Sequence, residues 1–116
     1  MPIRRDPGCS GRRVGGQGGV AREGVDVMIR RRVLVSGRVQ GVWFRETCRR
    51  EAERAGVAGF VKNRWDGRVE AEFEGHSTVV RRLVDWCRVG PPRAHVQAVE
   101  VEEVPVQGQN SFEVYG

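Results

Sequence analysis

The 116-residue sequence has few of the features that usually indicate a metal centre, a disulfide framework or a membrane span. Its three cysteines, Cys9, Cys48 and Cys87, form no C-x-x-C pair, and its two histidines, His76 and His95, have no partners at ligand spacing. We therefore expect reduced thiols, no bound metal and no cofactor. No apolar run approaches the roughly 20 residues of a membrane span, and the N-terminus lacks the apolar block of a secretory signal. These absences predict a soluble, cytoplasmic protein.

Lysine is also scarce, since Lys62 is the one lysine among 20 basic residues, and the formal net charge is +5. Such a charge is compatible with a nucleic-acid binder. However, glutamates are interleaved with the arginines along the chain, which is typical of a solvated surface. The 39% hydrophobic fraction is sufficient for one modest core, so we expect a single domain.

The first 27 residues are rich in glycine and arginine and show no apolar periodicity. Such a segment cannot offset the entropy of ordering, so residues 1–27 are predicted to be a disordered extension, followed by a domain over residues 28–116. One alternative is that translation naturally starts at Met28. Another is an RNA-binding arm, although the segment has no aromatic residue to stack on bases.

From Met28 onward, apolar residues recur with the periods of strands and helices. Two stripes at helical spacing are predicted to face the core: Phe44, Cys48, Ala52 and Ala55, and Val80, Leu83, Val84 and Cys87. The pattern predicts strands within 30–37, 57–63, 69–75, 95–104 and 111–116, and helices within 44–56 and 78–90. Gly56 ends the first helix, Ser77 caps the second, and Asp66-Gly67 forms a hairpin turn.

In the third strand, apolar residues alternate with Glu70, Glu72 and Glu74, so we expect these glutamates to face water. The order of elements predicts an α+β, ferredoxin-like split βαβ fold: an antiparallel sheet with two helices on one face and a short additional C-terminal strand.

The stretch "SGRVQGVWFR", Ser36 to Arg45, leaves a strand through two glycines and places an arginine where a helix begins. A helix N-terminus disfavours a cation, whereas a glycine-containing loop can direct its N–H groups at an anion that an arginine also binds. A phosphate-binding loop and a flexible loop with an exposed arginine both fit this pattern. The candidate loop residues are Gly37, Arg38, Val39, Gln40, Gly41, Val42, Trp43 and Phe44.

Asn63 is the second candidate site residue, because the strand that it ends can lie beside this loop. Its amide could orient a water molecule, but asparagine before an Asp-Gly turn is also ordinary turn chemistry. We expect Trp43 and Trp65 to flank the mouth of the site.

The segment from Cys48 to Arg54 has the cysteine-x₅-arginine spacing of phosphatases that use a thiolate nucleophile. It contains Glu51 and Glu53, which would repel phosphate, and it has a helical pattern without glycine. We therefore expect Cys48 to be a small core residue.

The blocks "GRVQGVWFR", "AGFVKNRWDGRVE" and "GPPRAHV", in that order, resemble the acylphosphatases over essentially all of residues 30–116. The resemblance implies hydrolysis of a carboxyl-phosphate mixed anhydride to a carboxylate and inorganic phosphate. It implies that Arg45 binds the phosphoryl group with the loop amides and that Asn63 positions the attacking water. No metal is required, and the substrate phosphate is our hypothesis for the proton acceptor.

Two alternatives remain: a non-catalytic module of the same fold that binds phosphate or RNA, and a carbamoyl phosphate domain of a larger maturation enzyme. RNA binding is disfavoured because the central strands offer no outward aromatic residues. Because the chain ends after the domain, we expect a free-standing, monomeric enzyme. The sequence does not distinguish among acetyl, carbamoyl and glyceroyl phosphates.

Overall fold

The computed structural model describes residues 27–116, so the predicted disordered extension, residues 1–27, lies outside the described residues apart from Val27. The elements in chain order are β1 (Met28–Arg38), α1 (Phe44–Ala55), β2 (Ala58–Asn63), β3 (Val69–His76), α2 (Ser77–Val89), β4 (His95–Val104) and β5 (Phe112–Tyr115). This order confirms the predicted ferredoxin-like arrangement. Helix α2 begins at Ser77 itself, with His76 at the N-cap position. Neither helix in residues 27–116 is long and apolar enough to cross a membrane.

The five strands form one sheet in the order β4-β1-β3-β2-β5. The first four strands pair antiparallel, as predicted, whereas β5 pairs with β2 in parallel. The sheet is therefore mixed, and the prediction of a wholly antiparallel sheet is wrong for its last strand. The reason is geometric: Val104 pairs with Arg30, and Phe112 pairs with Gly59 at the same end of the sheet. A chain that crosses the sheet at one end must run back in the direction opposite to β4, which is the direction of β2.

The core lies between the helices and one face of the sheet. Both predicted helical stripes are buried, and the ring centroids of Phe44 and Trp86 lie 5.2 Å apart where α1 meets α2. Gly56 ends α1 in the left-handed conformation, as predicted. Ala55 is partly buried, and the fully buried apolar residues of the helices are Phe44, Cys48, Ala52, Val80, Leu83, Val84 and Cys87.

The other face of the sheet carries ion pairs, and here the prediction of solvated glutamates is wrong. Glu70 and Glu74 are 7% and 2% exposed. Nε of Arg30 donates to Glu72 at 2.6 Å and its Nη1 donates to Glu74 at 2.8 Å, while Nε of Arg32 donates to Glu70 at 2.9 Å. The strand register explains the difference, because it places arginines of β1 opposite glutamates of β3.

The connection between β4 and β5 closes over Glu74. The backbone N–H groups of Gln107, Gly108 and Gln109 donate to its carboxylate at 2.8, 2.8 and 3.2 Å. The Gln109 amide also donates to the carbonyl of Gly59 at 2.7 Å. The buried carboxylate therefore fixes the path that leads to β5, and β5 lies beside the candidate site.

Candidate active site

The two glycines of the predicted phosphate-binding loop, Gly37 and Gly41, have different positions and roles. Gly37 lies at a β-bulge with φ 125°, and a Cβ there would lie 2.2 Å from the carbonyl oxygen of His95. Gly37 is therefore required by the close approach of β4. Gly41 has φ 74° with open space around it, so glycine is favoured there by the left-handed backbone conformation and not by a close neighbour. The sequence pattern predicts Gly37 and Arg38 for the loop, but they are the last two residues of β1 and pair with Val96 and His95 of β4, so the prediction is wrong for these two residues.

Three side chains anchor the loop. Val39 and Val42 are 1% and 5% exposed and belong to the hydrophobic core. The Gln40 side-chain amide donates to the carbonyls of Arg64 and Arg68 at 2.7 and 3.0 Å. Gln40 thus joins the loop to the β2–β3 turn, which begins directly after Asn63.

The loop backbone has unused donors. Among residues 27–116, no protein acceptor receives the N–H groups of residues 40–43. Trp43, at the N-cap position of α1, adopts the left-handed conformation with φ 66° and ψ 22°. It is the one non-glycine residue of the described segment with positive φ. Free N–H groups at a helix N-terminus form an environment suited to an anion.

A cleft of about 390 Å³ lies against this loop and brings together the two main candidates, Arg45 and Asn63. Of the other predicted loop residues, Gly37, Arg38, Gln40 and Val42 do not line the cleft. The lining residues are Val39, Gly41, Trp43, Phe44, Arg45, Glu46, Asn63 and Val114.

Two different elements hold the candidate side chains. Arg45 lies in the first turn of α1, and its Nη1 donates to the carbonyl of Tyr115 in β5 at 2.9 Å. Asn63 is the last residue of β2 and pairs with Val69. Within residues 27–116, the Asn63 side-chain amide makes no hydrogen bond, so it is available to a ligand or water.

Sequence reasoning missed Glu46, a carboxylate in the cleft wall. Arg49 donates to Glu46 at 2.5 and 3.2 Å, and Nε of Arg50 lies 3.5 Å from it. The hydrogen bonds from Arg49, together with the charge of both arginines, lower the pKa of Glu46, so it remains ionised and paired. The i,i+3 and i,i+4 spacing of these residues was a signal that could have predicted the pairing.

Val114 and Tyr115 were also missed as site residues. Val114 lines the cleft, and Tyr115 supplies the carbonyl that receives Arg45. Their roles depend on the parallel placement of β5 beside β2, for which the sequence has no local signal.

Trp43, Trp65 and Cys48 were the other residues with a predicted place near or away from the site. Trp43 is 70% exposed and lines the cleft, whereas Trp65 is 94% exposed and does not. Cys48 is buried, and its burial and a hydrogen bond with Cys87 raise its thiol pKa, which makes it a poor nucleophile. In the part of the chain that the structure describes, no group of three or more His, Cys, Asp or Glu could hold a metal ion.

Comparison with known proteins identifies the family. The acylphosphatase family model matches residues 31–114. The chain is 60% identical over 84 residues to an acylphosphatase from Rubrobacter xylanophilus, covering 72% of this chain and 76% of that protein. It is 52% identical over 86 residues to one from Gloeobacter violaceus, covering 74% and 92%.

The fold agrees with these sequence matches. The structure of an acylphosphatase from Coxiella burnetii superposes with a TM-score of 0.73 at 40% identity, covering 76% of this chain and 93% of that one. The chain therefore belongs to the acylphosphatase family and is an enzyme that hydrolyses acyl phosphates.

Proposed function

We propose that the phosphoryl group of the substrate binds Arg45 and the amides of the 37–44 loop, with those of residues 40–43 foremost, and that Asn63 orients the attacking water. The observation that carries this proposal is the convergence of Arg45, Asn63 and unused backbone N–H groups on one cleft. A guanidinium can grip two phosphoryl oxygens through paired, charge-assisted hydrogen bonds.

The reaction needs positioning and charge stabilisation. The water oxygen forms a bond to phosphorus, the bond between phosphorus and the acyl oxygen breaks, and its electron pair leaves with the carboxylate. One proton of the water stays on the incoming oxygen and the other goes to a phosphoryl oxygen, which gives inorganic phosphate. Because a carboxylate is a good leaving group, N–H donors and one guanidinium aimed at the equatorial oxygens supply the main catalytic effect.

Glu46 is not the general base in this scheme. Its carboxylate is paired with Arg49, and its pKa is lowered, so it has a weak affinity for the proton of water. The pairing also reduces the repulsion that a free carboxylate would exert on a phosphoryl group in the same cleft.

The acyl group lies against Trp43 and Val114. These are the exposed apolar residues of the cleft, at 70% and 39% exposure. A non-glycine residue in the left-handed conformation costs roughly 1–2 kcal/mol, so the position of the Trp43 ring is maintained against strain. This wall provides apolar contact without a polar group that selects one particular acyl chain.

The enzyme works as a cytoplasmic monomer without metal or cofactor, and it does not bind nucleic acid. Support for the location comes from its bacterial relatives. Support against RNA binding comes from strands β1 and β3, where Arg30, Arg32 and their glutamate partners occupy the face opposite the helices and no aromatic side chain lies among them. The rings of Phe60 and Tyr115, 5.7 Å apart, lie on the neighbouring strands β2 and β5.

Hydrolysis of acetyl phosphate in the presence of EDTA tests the site. Arg45→Ala and Asn63→Ala should each lower kcat by about 10²–10³ or more, by analogy with the loss of an oxyanion donor. Arg54→Ala and Asn110→Ala are matched controls, since neither residue lines the cleft, and both should retain full activity. Equal activity of Asn63→Ala and Asn110→Ala, with both proteins folded by circular dichroism, would remove Asn63 from the mechanism.

Hydrolysis in ¹⁸O-labelled water tests where the water attacks. Attack at phosphorus places the label in inorganic phosphate, as the scheme requires. Label in the acetate would show attack at the carbonyl carbon and would contradict the proposed position of the water.

A further inference from the structure

A second cavity, of about 240 Å³, lies between α2 and the β1–β4 edge of the sheet and contains an unusual excess of positive charge. Three of its six lining residues are arginines, and one is acidic: the set is Arg31, Arg81, Val84, Asp85, Arg88 and Val101. Arg31 lies near the start of β1, whereas the catalytic loop follows its end at Arg38. Seven residues of strand separate them by about 23 Å, at roughly 3.3 Å per residue, so the two cavities are distinct.

Arg31 is a poorly compensated charge on the core side of the sheet. It alternates in register with Val33 and Val35, which face the helices, and its side chain is 19% exposed. Its acidic partner, Glu103, is 77% exposed and lies 3.7 Å from Nη1. Burial lowers the pKa of the Arg31 guanidinium, and the charge of Arg81 adds to this effect despite Glu103. A cation in such a position is stabilised when an anion joins it.

Arg81 and Arg88 approach the cavity from α2. They are seven residues apart, which places them on the same face of the helix, two turns from each other. Arg81 has no acidic partner within residues 27–116. Asp85 lies 3.6 Å from Nε of Arg88 and is 78% exposed, so it offsets little of the charge. By contrast, Arg30 on the opposite face makes two hydrogen bonds of 2.6 and 2.8 Å to glutamates.

We propose that this cavity is a second anion site, which binds a compact phosphate dianion between Arg31 on the sheet and the Arg81 and Arg88 pair on α2. The guanidinium fork matches phosphate oxygens in geometry and charge. The shared chemistry fits both free inorganic phosphate and the end of a small phosphomonoester. The site adds to the proposed catalytic function and does not depend on it.

Calorimetric titration of the full chain with inorganic phosphate, and separately with glycerol phosphate, tests the site in an Arg45→Ala background. In that background, the double variant Arg81→Ala/Arg88→Ala should weaken binding of the dianion about tenfold or more, since a charge-assisted hydrogen bond contributes at least about that factor. The matched control is Arg82→Ala, an exposed arginine of the same helix that does not line the cavity, and it should change affinity less than about twofold. Binding of either probe that the double variant weakens and Arg82→Ala does not supports the proposal and identifies the source of the phosphate group.

Asp85→Asn should change the affinity for phosphate in the direction opposite to the double variant. It removes the one carboxylate of the cavity wall, so the affinity for phosphate should increase, which a merely structural role for these arginines would not produce. The proposal is wrong if the double variant binds both probes as tightly as the Arg82→Ala control does. It is also wrong if the Arg45→Ala protein with the Arg82→Ala control substitution binds neither probe. A phosphate signal that disappears with Arg45→Ala alone belongs to the catalytic cleft, so failure of one site is distinguishable from failure of the other.

Discussion

The buried carboxylate of Glu74 should be among the most important side chains for stability, although it lies outside the catalytic cleft. Its side chain is 2% exposed and accepts four hydrogen bonds, from Nη1 of Arg30 and from three backbone N–H groups. Glu74→Ala removes one of the two carboxylate partners of the buried Arg30 guanidinium, which keeps Glu72 and a 3.1 Å hydrogen bond to the side-chain oxygen of Gln109, and it orphans three amides. Breaking a buried pair of this kind lowers the free energy of unfolding by about 3–5 kcal/mol.

Urea denaturation followed by tryptophan fluorescence measures this cost. With an m-value of about 1–3 kcal/mol per molar urea, a loss of 3 kcal/mol lowers the midpoint by roughly 1–3 M. Glu102→Ala is the control, since Glu102 is 65% exposed and lies 3.3 Å from Nη1 of Arg32. An exposed pair contributes about 0–1 kcal/mol, so the control midpoint should change little. Equal midpoints for the two variants would refute the reasoning.

The same network predicts how stability depends on pH. Burial alone would raise the pKa of Glu74, but hydrogen bonds from the Gln107 amide and Arg30 outweigh it, so the folded pKa is lowered. The pKa of Glu70 is lowered in the same way: burial would raise it, but the hydrogen bond from Arg32 outweighs burial. Both glutamates therefore stabilise the fold fully above the unfolded pKa of about 4.3, and this stability is lost as pH falls through the lower folded pKa values. Glu74→Ala should flatten that acid limb of the stability curve, and an unchanged limb would contradict the assignment.

Three further predictions concern the cleft. Gln40→Ala should lower kcat about tenfold, because the loop loses its hydrogen bonds to the turn after Asn63. The free energy of unfolding should change little, because the Arg64 and Arg68 carbonyls keep backbone partners. Unchanged turnover would exclude this positioning role. Trp43→Gly should stabilise the fold by about 1 kcal/mol, because it relieves the left-handed strain. The same substitution should raise KM more for benzoyl phosphate than for acetyl phosphate. Equal KM changes would show that the ring does not contact the acyl group. Glu46→Gln should retain kcat within about threefold, and a loss comparable to that of Arg45→Ala would indicate a general base.

The helices and the core were predictable from sequence because their signals are local. The stripe of Phe44, Cys48 and Ala52 depends only on helical spacing, and it is buried as predicted. The position of Gly56 after this stripe likewise indicates where α1 ends.

The sheet contained the errors because its contacts join distant parts of the chain. The pattern around Glu74 is the same whether its outward face meets water or Arg30, and only the β1–β3 register distinguishes the two. Similarly, Gly37 and Gly41 are equivalent in sequence, but only Gly37 lies against β4.

The candidate site was predictable in its motif and not in its walls. Arg45 and Asn63 lie in blocks that resemble a family, and the fold brings both to one cleft. Val114 and Tyr115 depend on how β5 crosses to the far edge of the sheet, which no short pattern specifies.

The most direct test of the central claim is chemical rescue of Arg45→Ala by guanidinium ion. The measurement is the turnover of acetyl phosphate with EDTA present, at guanidinium concentrations well below those that unfold the protein, with Arg54→Ala as the control. If the Arg45 guanidinium binds the phosphoryl group in the transition state, added guanidinium should restore part of the lost kcat in a saturable manner and leave the control unchanged. A folded Arg45→Ala protein that hydrolyses acetyl phosphate at the full rate without guanidinium would contradict the account.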